Sequence, residues 1–382
     1  MGDLYLDSTA TTKPTDLAID SFVNVNVNHW HNPSATMSEG GIAARRLVEE
    51  SRKKIADLIG AKPEQIIFTS GSTEGANMII KGFIPRGHER KHCIICSPIE
   101  HPAVWETAIY MYNCGAWLNV LDVNGFGDID LKQLEECLEW GRLSTKTLVC
   151  VMDSNNELGT IQKTMEIEEI VHKYPNAYLF SDMTQSYAHA EVIGADILKY
   201  DFACASAQKF GGLKGVGFVY ARDPSLLTPL IHGGGQEDHM RSGTENVGGI
   251  VSMARQFEDV CNARYHGDIE YIKTLNNKLR TLLITNFNNI RILSPDDGLP
   301  SILSVMFPGN DANNIVTMLE LQNIQVSAGS ACHTGENKPS RTLKAIGLTD
   351  DEARSVIRVS LSSDISVSDI NKFVTALKGV MV

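Results

Sequence analysis

The segment FACASAQKFGG, residues 202–212, joins a short apolar run to a lysine and a pair of glycines. The apolar half has the length and composition of a buried strand, and the glycines indicate a loop directly after it. Other short apolar runs lie at 65–69, 92–96, 117–121, 148–152, 178–180 and 217–221. Amphipathic segments lie between most of these runs, including 102–112, 131–140 and 165–174. This alternation predicts an α/β domain built on a mostly parallel sheet of seven strands.

The pattern changes after the glycine triplet at 233–235. A long helical stretch, about 247–286, leads to strand-like runs near 301–307 and 358–361. We therefore predict a large domain at 16–255 and a smaller α+β C-terminal domain made of 256–382 together with 1–15. The N-terminus lacks the basic and apolar regions of a signal peptide, and no apolar run reaches membrane length. These features predict a cytoplasmic protein without a membrane partner.

The composition is that of a globular protein with room for a large core. Among 382 residues, 21% are charged and 43% are hydrophobic, which argues against a mainly disordered chain. The formal net charge is −12. An acidic chain is repelled by phosphate backbones, so we expect no direct binding of nucleic acid and regard a basic protein as the more suitable partner.

The chain has eight cysteines, and most lie in apolar runs typical of buried thiols in a reducing compartment. Cys93 and Cys96 have the spacing of a metal-binding pair, but they lie in a strand pattern and no second ligand pair follows. We therefore predict no metal site. Cys332 differs, because the surrounding segment SAGSACHTG, residues 327–335, has the small and polar residues of an exposed loop.

Three features in the predicted sheet can carry chemistry. A lysine such as Lys209, beside apolar residues and glycines, can have a lowered pKa and form a Schiff base with an aldehyde, although most lysines are solvated surface charges. Asp182 follows another strand, where a carboxylate can keep a pyridine nitrogen protonated or simply cap a turn. The segment SGSTEG, residues 70–75, can hold a phosphate at a helix N-terminus, or be an ordinary helix cap.

Ten segments in order along nearly the whole chain resemble the cysteine desulfurases, a group within the class V aminotransferase family. They are YLDSTATT (5–12), NPS (32–34), the loop 69–74, EHPAV (100–104), NNELG (155–159), Asp182 with Gln185, Lys209, RSGTEN (241–246), the loop 327–332 and RVSL (358–361). The resemblance implies the fold of the pyridoxal 5′-phosphate (PLP)-dependent transferases, aminotransferase fold type I. It also implies PLP as cofactor, L-cysteine as substrate, a homodimer and a sulfur-acceptor protein.

The resemblance also implies roles for individual residues. Lys209 would bind PLP covalently and move the substrate Cα proton. The implied contacts to the cofactor ring come from His101, which stacks on it and serves catalysis, and from Asp182 and Gln185. The implied phosphate contacts are Ser72, Thr73, Ser206, Gln208 and, from the other subunit, Thr244. Apart from the resemblance, His101 would be interpreted as a core imidazole.

The resemblance also implies that three further residues bind the substrate or accept its sulfur. Asn156 and Arg358 would bind the substrate carboxylate, a role that suits the two-pronged guanidinium. Apart from the resemblance, Arg358 would be interpreted as half of a surface salt bridge. Cys332 would accept the sulfur as a persulfide, on a loop at about 327–345 whose length is typical of functional or mobile segments.

Two positions depart from the family pattern. Gln208 stands where the family usually has histidine, and an amide cannot carry charge or shuttle protons. PLP affinity or a proton transfer is therefore expected to differ. The pair at 8–9 is Ser-Thr instead of Asn-Ala, which puts contacts at the mouth of the site in doubt.

Two alternative functions stay open at this point. Another class V PLP enzyme, such as a selenocysteine lyase or a small-amino-acid aminotransferase, is the alternative within enzymes. An aminotransferase, however, has no need of an exposed loop cysteine. A catalytically idle scaffold is the alternative outside enzymes, and the intact set of Lys209, Asp182, Arg358 and Cys332 argues against it. The destination of the sulfur also stays open among iron–sulfur cluster assembly, tRNA thiolation and DNA phosphorothioation.

Overall fold

The computed structural model describes residues 3–85, 87–189, 197, 199–265, 267–329 and 339–381. The first part of the chain contains β1 (Leu4–Tyr5), α1 (Asp16–Asn28), α2 (Glu39–Ile59), β2 (Ile66–Thr69), α3 (Ser72–Phe83), β3 (His92–Cys96), α4 (Pro102–Asn113), β4 (Trp117–Val120), α5 (Leu131–Gly141), β5 (Lys146–Cys150), α6 (Thr164–Val171), β6 (Ala177–Asp182), α7 (Ser186–His189), β7 (Phe202–Ser206) and β8 (Gly217–Ala221). The second part contains α8 (Val247–Tyr265), α9 (Asp268–Asn286), β9 (Arg291–Ile292), β10 (Ile302–Met306), α10 (Ala312–Glu320), β11 (Ile324–Gln325), β12 (Ser327–Ala328), α11 (Arg341–Ala345), α12 (Asp350–Ala353), β13 (Val356–Ser360) and α13 (Val367–Val380).

The central sheet has seven strands in the order β2-β8-β7-β6-β5-β3-β4. The strands from β7 to β4 pair in parallel, and β8 is antiparallel to both of its neighbours, β2 and β7. The predicted mostly parallel seven-stranded sheet is therefore confirmed. Each of the seven predicted apolar runs coincides with one strand. The inner strands are covered on both faces and therefore need apolar residues at successive positions, whereas the edge strand β4 is partly exposed.

Helices cover both faces of this sheet. On one face Ile95 and Val149 belong to a core that also contains buried residues of α2 and α8. On the other face Ile94 and Leu148 belong to a core with α3 and α4. Since successive strand residues point to opposite faces, neighbouring residues of one strand enter different cores. The two helical layers leave the carboxyl ends of the strands as the open edge.

A second sheet forms from the C-terminal part of the chain, in the order β12-β13-β10-β9, with antiparallel pairing. The N-terminal segment joins this region, since β1 pairs in parallel with β11 and Asp7 bridges to Ser360. A separate apolar core lies here. On these contacts we propose that 1–15 and 256–382 form a domain distinct from 16–255.

The helical stretch expected at about 247–286 consists of two helices, α8 and α9. Gly267 lies between them with φ +99, a left-handed conformation that interrupts a helix and that glycine adopts readily. No helix within the described residues has both the length and the apolar character needed to cross a bilayer.

Candidate active site

The predicted site residues lie at the carboxyl ends of the parallel strands. Asp182 ends β6 and Ser206 ends β7, while Lys209 closes the short 3₁₀ turn that follows β7. His101 follows β3, and Asn156 follows β5. Carboxyl ends of neighbouring parallel strands meet at one edge, which is where such sheets bind ligands. The structure thus collects at one edge residues that lie more than a hundred positions apart.

The N-terminal segment connects Lys209 to Gln185. The Lys209 ammonium donates to the backbone carbonyls of Thr9 and Ala10, in both cases over 2.7 Å. Gln185 Nε2 donates to the same Thr9 carbonyl over 3.3 Å. This role of Thr9 was not predicted from the sequence, because every residue has a backbone carbonyl and the residue type does not indicate such a contact. Lys209 and Gln185 therefore face one point in the site.

The segment that follows Asp182 contains buried polar atoms without a hydrogen-bond partner among the described residues. The Asp182 carboxylate is buried and accepts a hydrogen bond from the Thr184 backbone N–H over 3.0 Å. Thr184 Oγ1 and Gln185 Oε1 are buried without a hydrogen-bond partner among the described residues. Buried polar atoms are rarely left unpaired in proteins, so this cluster fits a bound ring with polar substituents. The Asp182 carboxylate is suited to pair with a ring nitrogen that carries a proton.

His101 is the N-cap of α4, and its Nδ1 accepts a hydrogen bond from the Ala103 N–H over 3.1 Å. Its neutral ring therefore carries the proton on Nε2. Burial lowers the pKa of His101; the positive charges of Lys209 and Arg341 also lower it, while Asp182 acts in the opposite direction. The imidazole is accordingly neutral at pH 7, a state suited to contact with a protonated ring.

The start of α3 forms a cradle for an anion. Its N-cap, Gly71, has φ +148 and offers no side chain to the first N–H groups of the helix. A Cβ on Gly71 would lie 3.3 Å from Ser206 Oγ, and a Cβ on Gly217 would lie 2.7 Å from Gly71 Cα. The Ser206 hydroxyl and the free N–H groups therefore converge, as a phosphate site requires. Ser72 is half-buried and Thr73 is exposed at this end.

Thr244 lies outside this cradle on the same chain. Its side chain is exposed, and together with Thr69 and Ser70 it lines a separate cavity of about 190 Å³. The segment that carries it is fixed by an ion pair between Arg241 and Glu74 of α3, 2.8 Å long. Burial by itself would raise the pKa of Glu74, but the hydrogen bonds from Arg241 and from Ser70 lower it overall.

Arg358 is a buried residue of β13 and not half of a surface salt bridge. Its Nη1 donates to the Asn156 backbone carbonyl over 2.9 Å, and its Nη2 donates to Asp7 Oδ1 over 2.7 Å. Its Nε is buried without a hydrogen-bond partner among the described residues. The guanidinium thus has fixed orientation and spare donor capacity, which fits the binding of a carboxylate. The role of Asp7 was not predicted from the sequence, in which the segment YLDSTATT was the only indication that this position belongs to the site.

The two departures from the family pattern have different consequences. The Ser8 hydroxyl donates to the Leu361 carbonyl over 3.2 Å, and the Thr9 hydroxyl is bonded to that of Ser360. These hydroxyls therefore add links between the N-terminal segment and β13. Gln208 is half-buried, and its backbone carbonyl accepts two hydrogen bonds from Thr12, both of 2.9 Å. These two hydrogen bonds fix the Gln208 backbone next to Lys209.

Cys332 and the rest of 330–338 lie outside the described residues. Of the cysteines that are described, Cys93, Cys96, Cys150 and Cys204 are buried, and Cys114 is exposed. Burial raises the pKa of the Cys93 thiol to about 11 and raises those of the other three buried thiols as well. These buried thiols stay protonated at pH 7 and are poor nucleophiles.

The chain matches the family Aminotransferase class-V over residues 4–373. It is 33% identical to the protein named cysteine desulfurase IscS of Dictyoglomus turgidum, over 99% of this chain and 94% of that protein. Among solved structures it is similar to a NifS-like protein, with a TM-score of 0.91, 32% identity and 99% coverage of each chain. It is also similar to SspA in complex with cysteine, with a TM-score of 0.80 and 30% identity, covering 94% of this chain and 99% of that one.

Proposed function

The chain belongs to the class V aminotransferases, and from that membership we propose that it is a PLP-dependent cysteine desulfurase. The reaction converts L-cysteine to L-alanine and transfers sulfur to Cys332. The observation that carries the proposal is the convergence of Lys209, Gln185 and Asp182 at one sheet edge, in a chain whose full-length relatives bear that name. Those relatives do not favour a selenocysteine lyase or an aminotransferase.

The residues at the sheet edge fit PLP, and each has a task in holding it. The anion cradle at the start of α3, with Ser206, would hold the phosphate, assisted by Ser72, Thr73 and Gln208. Asp182 would keep the ring nitrogen protonated, Gln185 would contact the phenolic oxygen, and His101 would stack on the ring. When bound, PLP supplies an electron sink for negative charge that develops at the substrate Cα.

The substrate is oriented by residues from the other side of the site. Arg358, held by Asp7 and by the Asn156 carbonyl, would bind the carboxylate of L-cysteine. The Lys209 amine, a base at the end of a long flexible side chain, would take the proton from the substrate Cα and return a proton to carbon. Because both residues are fixed by hydrogen bonds to the N-terminal segment, this segment sets the distance between them.

The sulfur step needs a nucleophile that can approach the substrate sulfur. The Cys332 thiolate attacks that sulfur, an S–S bond forms, and the Cβ–S bond breaks with its electron pair going to carbon, which is then protonated. The balance is L-cysteine plus thiol giving L-alanine plus persulfide, with no external oxidant or reductant. The persulfide then passes its outer sulfur to an acceptor protein.

The reaction class is tested by product analysis of the PLP-loaded protein. With L-cysteine and a reducing thiol, we expect equal amounts of L-alanine and sulfide. With L-alanine and a keto acid, we expect no amino-group transfer. Amino-group transfer without sulfide release would show an aminotransferase and contradict the proposal.

Arg358→Ala is expected to raise the KM for L-cysteine. Loss of a charge-assisted hydrogen bond of roughly 1.5–3 kcal/mol corresponds to a decrease of about 10-fold to 150-fold in kcat/KM. Arg46→Ala, which removes an exposed arginine of α2, is the control and should leave kcat/KM unchanged. Steady-state kinetics on variants that still bind PLP give the answer, and unchanged kinetics in Arg358→Ala would remove this residue from the substrate site.

We also propose that the protein is a cytoplasmic homodimer. The exposed position of Thr244 supports the dimer, because this residue can then serve the partner's phosphate site. Exposed apolar residues on α1 and just after it, Val23, Val27 and Trp30, offer a surface for subunit contact. Six cysteines of the described residues lie outside any disulfide, which supports a reducing compartment: Cys93, Cys96, Cys114, Cys137, Cys150 and Cys204. The net charge of −12 suits a basic sulfur acceptor.

A further inference from the structure

Arg341 contacts the turn that carries His101, although 240 positions separate the two residues along the chain. Its guanidinium donates from Nη1 to the Pro98 carbonyl and from Nη2 to the Glu100 carbonyl. The same guanidinium lies over the Trp105 ring, 4.1 Å from the ring centroid. A planar fork that binds two carbonyls and stacks on an indole fixes the turn in both position and orientation.

The buried side chain of Glu100 also fixes this turn. Glu100 is fully buried, and its Oε1 accepts hydrogen bonds from the Met152 N–H over 2.6 Å and from the Ser97 hydroxyl over 2.8 Å. Burial raises the pKa of Glu100 to about 8. His101 continues into α4, where the Trp105 N–H donates to its carbonyl over 3.1 Å. The turn is therefore held both by the buried carboxylate of Glu100 and by the guanidinium of Arg341.

Arg341 is itself placed by contacts to the substrate side of the site. It is the first residue of α11, and its neighbour Ser340 donates to the half-buried carboxylate of Glu157. Glu157 directly follows Asn156, whose carbonyl binds Arg358. The start of α11 is thus hydrogen-bonded both to the segment that holds Arg358 and to the turn that carries His101.

We propose that Arg341 is a positioning residue that sets the orientation of the His101 ring over PLP and links it to the substrate-binding segment. The inference rests on the proposed function for the presence of PLP. We place Arg341 in contact with neither cofactor nor substrate; it acts through the carbonyls of Pro98 and Glu100 and through Trp105. Burial lowers the pKa of His101. The positive charges of Arg341 and Lys209 lower this pKa further, whereas the negative charge of Asp182 raises it.

The test compares Arg341→Gln, Arg341→Lys and the control Lys344→Gln. Lys344 lies on the same short helix but is exposed and pairs with the exposed Asp350. We expect Arg341→Gln to lower kcat by about 10-fold to 100-fold with little change in KM, as for a misplaced group beside a reaction centre. We also expect its visible circular dichroism, which reports the orientation of bound PLP, to change. Arg341→Lys should recover part of both signals, and Lys344→Gln should match the wild type.

Each outcome decides the proposal. Wild-type circular dichroism and kcat in Arg341→Gln would overturn it, and so would equal losses in Lys344→Gln. If Arg341→Gln does not fold, Arg341→Lys and Trp105→Leu decide instead: both should show a partial change in circular dichroism, and wild-type spectra in both would overturn the proposal. If the wild type itself makes no alanine from L-cysteine, the proposed function fails, while the spectra still report on Arg341.

Discussion

Cys332→Ser is expected to leave PLP bound and to lower the formation of L-alanine and sulfide from L-cysteine by about 1000-fold or more, since the attacking nucleophile is lost. A serine hydroxyl keeps the size of the side chain but cannot supply a thiolate at neutral pH. The proposed PLP contacts come from the sheet edge and not from this side chain, so the yellow colour of the bound cofactor should remain. Product assays and an absorbance spectrum on the same sample separate the two effects.

Cys114→Ser is the matched control for this experiment. Cys114 is exposed at the end of α4, so it offers an accessible thiol outside the proposed site. This variant should keep wild-type activity. The buried cysteines cannot replace Cys332, because burial keeps their thiols protonated. Sulfide release at the wild-type rate from Cys332→Ser would leave a lyase or an aminotransferase as the better interpretation.

Lys209→Ala is expected to lower kcat by about 100-fold to 10,000-fold, the usual contribution of a positioned acid–base group. We propose that the same amine binds PLP covalently, so in Lys209→Ala borohydride should no longer fix the cofactor to the protein. The Lys209 ammonium lies 2.7 Å from each of two carbonyls of the N-terminal segment, which fixes it at the sheet edge next to Gln185. Activity assays test the decrease in kcat, and mass spectrometry of the borohydride-treated protein tests the attachment of the cofactor.

Lys214→Ala is the control for Lys209→Ala. Lys214 lies five positions downstream and is exposed, so its loss should change neither cofactor attachment nor turnover. If borohydride fixed PLP to Lys214 in the wild type, the assignment of Lys209 would be wrong. Full activity in Lys209→Ala would contradict its role at the substrate Cα.

The fold was predictable because the central strands are buried on both faces and therefore appear as continuous apolar runs. The placement of Asp182, Ser206 and Lys209 at one edge followed from the same pattern, since carboxyl ends of parallel strands meet. The break between α8 and α9 was missed, because a single glycine inside a periodic stretch is a weak signal.

The supporting contacts of the site could not be predicted from residue types. Arg341 binds carbonyls of Pro98 and Glu100, and a carbonyl has no residue identity to detect. The pairing of Arg358 with Asp7 joins positions 351 apart in the chain. The burial of Glu100 is equally hidden, because a carboxylate next to histidine suggests an exposed position. Such contacts depend on how the two sheets are brought together, which short-range patterns do not encode.

Mass spectrometry of the wild-type protein after brief exposure to L-cysteine tests directly whether Cys332 accepts the sulfur. We expect one additional sulfur atom on the peptide that contains Cys332, removed by a reducing thiol and absent from Cys332→Ser. L-Alanine should appear in equal amount during the first turnover. An additional sulfur on the peptide that contains Cys114, or release of alanine and sulfide without any persulfide on Cys332, would contradict the role of Cys332 as sulfur acceptor.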